Sequence, residues 1–142
     1  MADQTFNISF KGYYRESKKE KIPNKSGIYC VYRCIYNKED KNISIKELIY
    51  IGESSDVQAR IKDHEHQEDW DAYLENGEEL CYSFGEITSQ YRERCEAAMI
   101  FQHEPPVNIE YIDNFPFDKT TLDLTGETAK LIQTFSVKKT EG

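Results

Sequence analysis

Two short runs constrain this chain more than anything else in it. Gly27-Ile28-Tyr29-Cys30-Val31-Tyr32-Arg33-Cys34-Ile35-Tyr36 and Glu47-Leu48-Ile49-Tyr50-Ile51-Gly52 are dense in β-branched and aromatic residues. Such side chains fit a pleated, half-buried surface, so both runs are expected as strands. The polar stretch 37–46 between them predicts a loop, which makes the pair a hairpin with a long connection. Ser54-Ser55-Asp56 is an N-cap cluster for a helix running to about His64. Val57 and Ile61 lie on its inner stripe, and Arg60 and His64 stand one turn apart on another.

Further along, a second helical piece is expected over 69–75, carrying Trp70, Tyr73 and Leu74 and ending at Gly77. Residues 80–87 alternate as a third strand. Thr88 or Ser89 caps a helix to about His103, which Pro105-Pro106 stops. Beyond Asn108, 120–124 and 131–137 read as short strands, a candidate hairpin around Gly126. The expected fold class is α+β: a small antiparallel sheet of three core strands flanked by helices. Residues 1–25 are expected as a basic extension packed on or next to the domain. The core is placed at 26–109, and 110–142 at a C-terminal extension of the same domain. A length of 142 residues suits one domain, and 38% hydrophobic with 13% aromatic residues can bury a real core.

No apolar run approaches the ~18 residues of a membrane span, and the opening MADQTFNISF lacks the features of a signal peptide, so a cytoplasmic protein is expected. The four cysteines, Cys30, Cys34, Cys81 and Cys95, have no metal-ligand spacing and are expected as buried free thiols. The formal charge of −8 argues against a sequence-independent grip on phosphates. Its distribution qualifies that. Residues 11–46 carry ten basic and four acidic side chains, whereas 63–118 carry fifteen acids against Arg92 and Arg94. A basic segment joined to an acidic body predicts a polarised surface, with Lys18, Lys19 and Lys21 as expected contacts to a polyanion.

Gly27-Ile28-Tyr29, Tyr50-Ile51-Gly52, Arg60, His64, Glu96 and Asn108 form an ordered series on strand, strand, helix and helix. As they stand, they resemble the GIY-YIG nuclease superfamily, named for the first two motifs. Arg60 follows the second tyrosine by ten residues, His64 comes four later, and Glu96 precedes Asn108 by twelve. The resemblance implies a GIY-YIG-like fold and a metal-dependent endonuclease acting on DNA. In that family the first tyrosine helps activate water, the glutamate is the ligand of a single metal, and the asparagine supports the architecture.

The residues themselves suit that chemistry. Glu96 is the member fitted to bind a hard divalent cation, Mg²⁺ or Mn²⁺, through oxygen. Arg60 offers a fixed fork of donors to phosphate. Tyr29 and Tyr50 can project their hydroxyls into one pocket. A phenol near pKa 10 is a poor base unassisted, and His64 is the expected acceptor of its proton. Ser54 and Lys62 are candidate phosphate contacts, and Asn108 is a candidate contact or structural support. Two departures stand out. Tyr29 and Tyr50 are 21 residues apart, about twice the common family separation, with the excess assigned to 37–46. Glu53 follows the second glycine where some members carry a lysine, which shifts weight onto His64. The alternative expectation is a non-catalytic module on the same fold, docking a protein partner through its acidic surface; a homodimer is also open.

Overall fold

In a computed structural model that describes residues 3–141, the chain is α+β, built on one curled sheet. The elements run β1 (Gln4–Arg15), a 3-10 helix (Glu16–Lys21), β2 (Gly27–Asn37), β3 (Asn42–Ser54), α1 (Val57–Lys62), α2 (Gln67–Asp71), β4 (Glu79–Glu86), α3 (Ser89–His103), β5 (Thr120–Gly126) and β6 (Thr134–Val137). Strand order is β3-β2-β4-β1-β5-β6. The three expected strands pair antiparallel as β3-β2-β4, and the expected C-terminal hairpin is β5-β6; the correction is that β1 joins them into one mixed sheet of six. β2 pairs antiparallel with both β3 and β4, and β5 with β6, but β1 runs parallel to β5.

The N-terminal segment supplies the strand that joins the two halves of this sheet. Phe6, Ile8 and Phe10 alternate with Asn7, Ser9 and Lys11, the period of two that a strand requires. Ile8 and Phe10 are buried. The hairpin differs from expectation in a related way. Its connection is only a tight turn, in which Asn37 Oδ1 accepts from the amides of Glu39 (2.9 Å) and Asp40 (3.1 Å) and Lys41 takes φ 55°. The ladder continues to Asn37↔Asn42, so the wide spacing of the tyrosines lengthens both arms and inserts no long loop.

Two apolar clusters cover the sheet. On one face Tyr29, Val31, Ile49, Tyr82 and Phe84 pack with Val57 and Ile61 of α1 and with Trp70. The other face joins Ile28, Cys30, Ile51 and Cys81 to Cys95, Ala98 and Met99 of α3, and continues through Ile8, Leu122 and Leu124. All four cysteines are buried and free, as their spacing predicts. Among the described residues, no helix is long and apolar enough to cross a membrane.

Candidate active site

The β2–β3 register sets Tyr29 opposite Gly52 and Val31 opposite Tyr50, which places both tyrosines on one face as diagonal neighbours. Their ring centroids are 6.2 Å apart. Gly52 makes this possible. A Cβ there would lie 2.3 Å from both Cζ and Oη of Tyr29, so the ring can cross the strand only over a glycine. Gly27 meets the same demand at the start of β2, where a Cβ would lie 2.3 Å from the Gly85 carbonyl oxygen.

Asp56 starts α1 by accepting from the Ala59 amide at 3.1 Å. This first turn directs Arg60 toward the tyrosines. The helix ends at Lys62, earlier than expected, and His64 lies in the connection to α2. His64 is 6% exposed, and its ring sits on Trp70 with centroids 4.3 Å apart. Nε2 is 2.6 Å from Tyr29 Oη, and Nδ1 accepts the backbone N–H of His66 at 3.0 Å.

That second bond decides the tautomer. A backbone N–H can only donate, so Nδ1 must accept, and the neutral ring carries its proton on Nε2. His64 therefore donates to Tyr29, and the phenol's own proton is left for the cavity. Burial, with Arg60 and His66 adding to it, lowers the His64 pKa to about 3. The ring is neutral at ordinary pH. In this arrangement it is a donor to the tyrosine oxygen, not the acceptor that the sequence led us to expect.

Tyr29, Tyr50, Arg60 and Glu96 line a cavity of about 340 Å³ beside the C-terminal end of β3. α3 supplies Glu96 and Glu93, one turn apart on one helix face, and the segment after Pro106 supplies Glu110. Burial raises the Glu96 carboxyl to about 8, and Glu53, Glu93 and Glu110 push it the same way. Burial also raises Tyr50, to about 12, and Glu96 is the next cause. Tyr29 is pushed well above its ordinary range by burial and by Tyr50, while the Arg60 cation opposes the shift.

The remaining expected residues are placed differently. Asn108 is a strut: its Oδ1 accepts from the Ile51 amide at 2.9 Å and its Nδ2 donates to the Ile51 carbonyl at 2.8 Å. The Val107 amide adds a bond to the Ile49 carbonyl at 3.1 Å. Together they cover the outer edge of β3, the terminal strand of the sheet. Ser54 folds back into a turn with Asp56. Lys62 is exposed and does not line the cavity.

Further participants stand outside the ordered series; among them Glu93, a competitor of Glu96 on the same helix, and His66, two residues beyond His64, are visible in the sequence. Glu65 holds Arg60 Nη2 at 2.9 Å. Arg92 pairs with Glu53, and it also donates to Ser26 Oγ at 2.9 Å. Tyr111 donates to Glu93 at 2.6 Å, and His66 lines the cavity with Nδ1 3.1 Å from Asp69. Glu65, Arg92 and Tyr111 carried no signal, because their partners are distant in the sequence or lie outside the motif. Among the described residues, no group of three or more His, Cys, Asp or Glu side chains is placed to hold a metal ion. Compared with protein families, with curated proteins and with solved structures, the chain matches none.

Proposed function

We propose that this chain is a metal-dependent endonuclease of the GIY-YIG kind, hydrolysing phosphodiester bonds in DNA. The observation that carries the reading is convergence: Tyr29, Tyr50, Arg60, His64 and Glu96, drawn from β2, β3, α1, the connection after it and α3, gather about one cavity.

Glu96 fits a hard divalent cation, Mg²⁺ or Mn²⁺. Its carboxyl lines the cavity and forms no hydrogen bond with a described residue, and its neighbouring carboxylates favour the arrival of positive charge. With no protein cage around it, the ion would share Glu96 with phosphate oxygens and waters. When bound, such a cation supplies Lewis-acid polarisation of the phosphoryl group and acidifies a bound water.

The chain's own groups divide the remaining work. Arg60, anchored by Glu65 through Nη2 and also interacting with Tyr29, turns its remaining donors to a phosphate oxygen on which negative charge builds. Tyr29 Oη receives the Nε2–H of His64 and lies near the Arg60 cation, and both stabilise a phenolate once its proton is lost. Tyr29 passes its own proton to solvent in the cavity, and the phenolate takes a proton from the attacking water as the new O–P bond forms. The P–O3′ bond breaks in the same displacement, and the departing 3′-oxygen takes up a proton from solvent. Tyr50 keeps its proton and donates to a phosphoryl oxygen. His64 fixes the Tyr29 ring and stays neutral throughout.

Plasmid nicking with Mg²⁺ or Mn²⁺ tests this reading. Glu96→Ala and Arg60→Ala should each lose at least a hundredfold in rate while remaining folded. Equal background from the native chain and both variants would overturn it.

A further inference from the structure

The candidate site is poorly suited to attract its own substrate. Four glutamates line its cavity, within a chain whose net charge is −8, so a polyanion meets repulsion there except at Arg60 and at any cation on Glu96. The far end of the sheet has the opposite character. Where β1 and β2 end and β3 begins, a second cavity of about 550 Å³ is lined by Arg15, Lys18, Lys21 and Lys41, with Tyr14 and Tyr36. Glu127 is the one acid among its described lining residues.

These cations come from three separate places: the end of β1, the 3-10 helix, and the β2–β3 turn. Lys18, Lys21 and Lys41 are exposed and make no ion pair with a described residue. Lys19, in contrast, is tied to Glu16 at 2.6 Å, so it is not one of the free charges. Arg15 is locked in place by Glu79, which accepts from Nε at 2.9 Å and Nη2 at 2.8 Å. Its guanidinium lies 3.6 Å from the centre of the Tyr36 ring. The result is a layered Arg–Tyr surface, fixed by Glu79, beside three exposed ammonium groups.

We propose that this groove is a nucleotide-binding subsite that grips an unpaired stretch of nucleic-acid strand. Its lysines take phosphates, and the Arg15–Tyr36 layer and Tyr14 take a base. Flexible ammonium groups follow a phosphate backbone as point charges, and aromatic faces stack on any base. A paired base is already stacked within its duplex and cannot enter a cavity, which is why the strand is unpaired. Tyr29 and Tyr36 are seven residues apart on β2, ~23 Å at ~3.3 Å per residue. The odd spacing sets the two side chains on opposite faces. A strand held at the groove therefore reaches the candidate site by passing round the sheet, a path longer than that span and several nucleotides in length. The groove supplies the attraction that the acidic end lacks. The choice of nucleic acid rests on the nuclease reading. Binding is measured without cleavage, however, so the two can fail separately.

The test is fluorescence anisotropy of the full chain with a labelled twelve-nucleotide single strand in EDTA, across a salt series. The double variant Lys18→Gln/Lys41→Gln changes only exposed side chains. It should weaken binding at least tenfold and reduce the slope of log affinity against log salt by about 1.4, two contacts at ~0.7 each. Tyr36→Leu should weaken binding at least fivefold with the salt slope unchanged; circular dichroism checks its fold. Native affinity and slope in the lysine variant would overturn the groove as the binding surface. A duplex of the same sequence that binds equally well and responds equally to the variants would overturn the unpaired-strand assignment. Competition by a free mononucleotide at the strand's own affinity would do so too, making the groove a small-molecule site. Loss of binding in the lysine variant, without any nicking activity in the native chain, would keep the groove and remove the nuclease.

Discussion

Gly52 and His64 each owe their role to one neighbour, Tyr29. The ring of Tyr29 occupies the space that a side chain at Gly52 would need, so Gly52→Ala should force the ring or the strand aside. We expect a loss of about 1–3 kcal/mol in thermal denaturation and at least a tenfold fall in nicking; native values for both would show that the ring has room to move. Tyr29→Phe and Tyr50→Phe should also differ from each other. Removing the Tyr29 oxygen leaves the buried Nε2–H of His64 without its acceptor, at a cost of about 1–3 kcal/mol. Tyr50 is only partly buried, so its variant should be close to native in stability. Equal melting temperatures for the two variants would contradict a stabilising His64–Tyr29 hydrogen bond.

At the scale of elements, β3 is a terminal strand of the sheet and Asn108 covers its outer edge. As an edge strand it would present unpaired N–H and C=O groups, and Asn108 covers two of them at Ile51. Asn108→Ala should cost about 1–3 kcal/mol and speed hydrogen exchange at the Ile51 amide while leaving β4 amides protected. Unchanged exchange at Ile51 would mean the clip does not hold the strand. Both long strands were partly legible in the sequence. Ile43 and Ile45 alternate with polar neighbours, but Asn, Lys and Asp around them dominate the local composition and imitate a loop. In the same way, the lysines and arginine after Phe10 obscured the alternation of Phe6, Ile8 and Phe10. Periodicity identifies such strands when composition does not.

For the whole molecule, buried His64 and part-buried Glu96 act in opposite directions. His64 is lowered to about 3 from 6.5, so its contribution is present above pH 6.5 and is lost as pH falls toward 3. Glu96 is raised to about 8 from 4.5, so its contribution is full below pH 4.5 and is lost as pH rises through 8. Melting temperature of the metal-free chain should therefore peak between these ranges, at about pH 5.5. Glu96→Gln should flatten the alkaline side and leave the acid side in place. An alkaline side equally steep in the variant would exclude Glu96 as its source.

The sequence by itself determined the strand-forming runs, the cap of α1, the extent of α3, the burial of the four thiols and the order of the candidate site residues. Each follows from local patterns of shape, polarity and spacing that act within one turn or one strand. Only the tertiary structure decided that β1 lies between β4 and β5, that His64 donates to Tyr29, and that Glu53, Glu93 and Glu110 crowd Glu96. It also decided that Arg15, Lys18, Lys21 and Lys41 share one groove. Pairing, hydrogen-bond direction and electrostatic crowding depend on which distant residues meet. A pattern of period two or 3.6 specifies which face a residue takes, but not which strand or helix will pack against it.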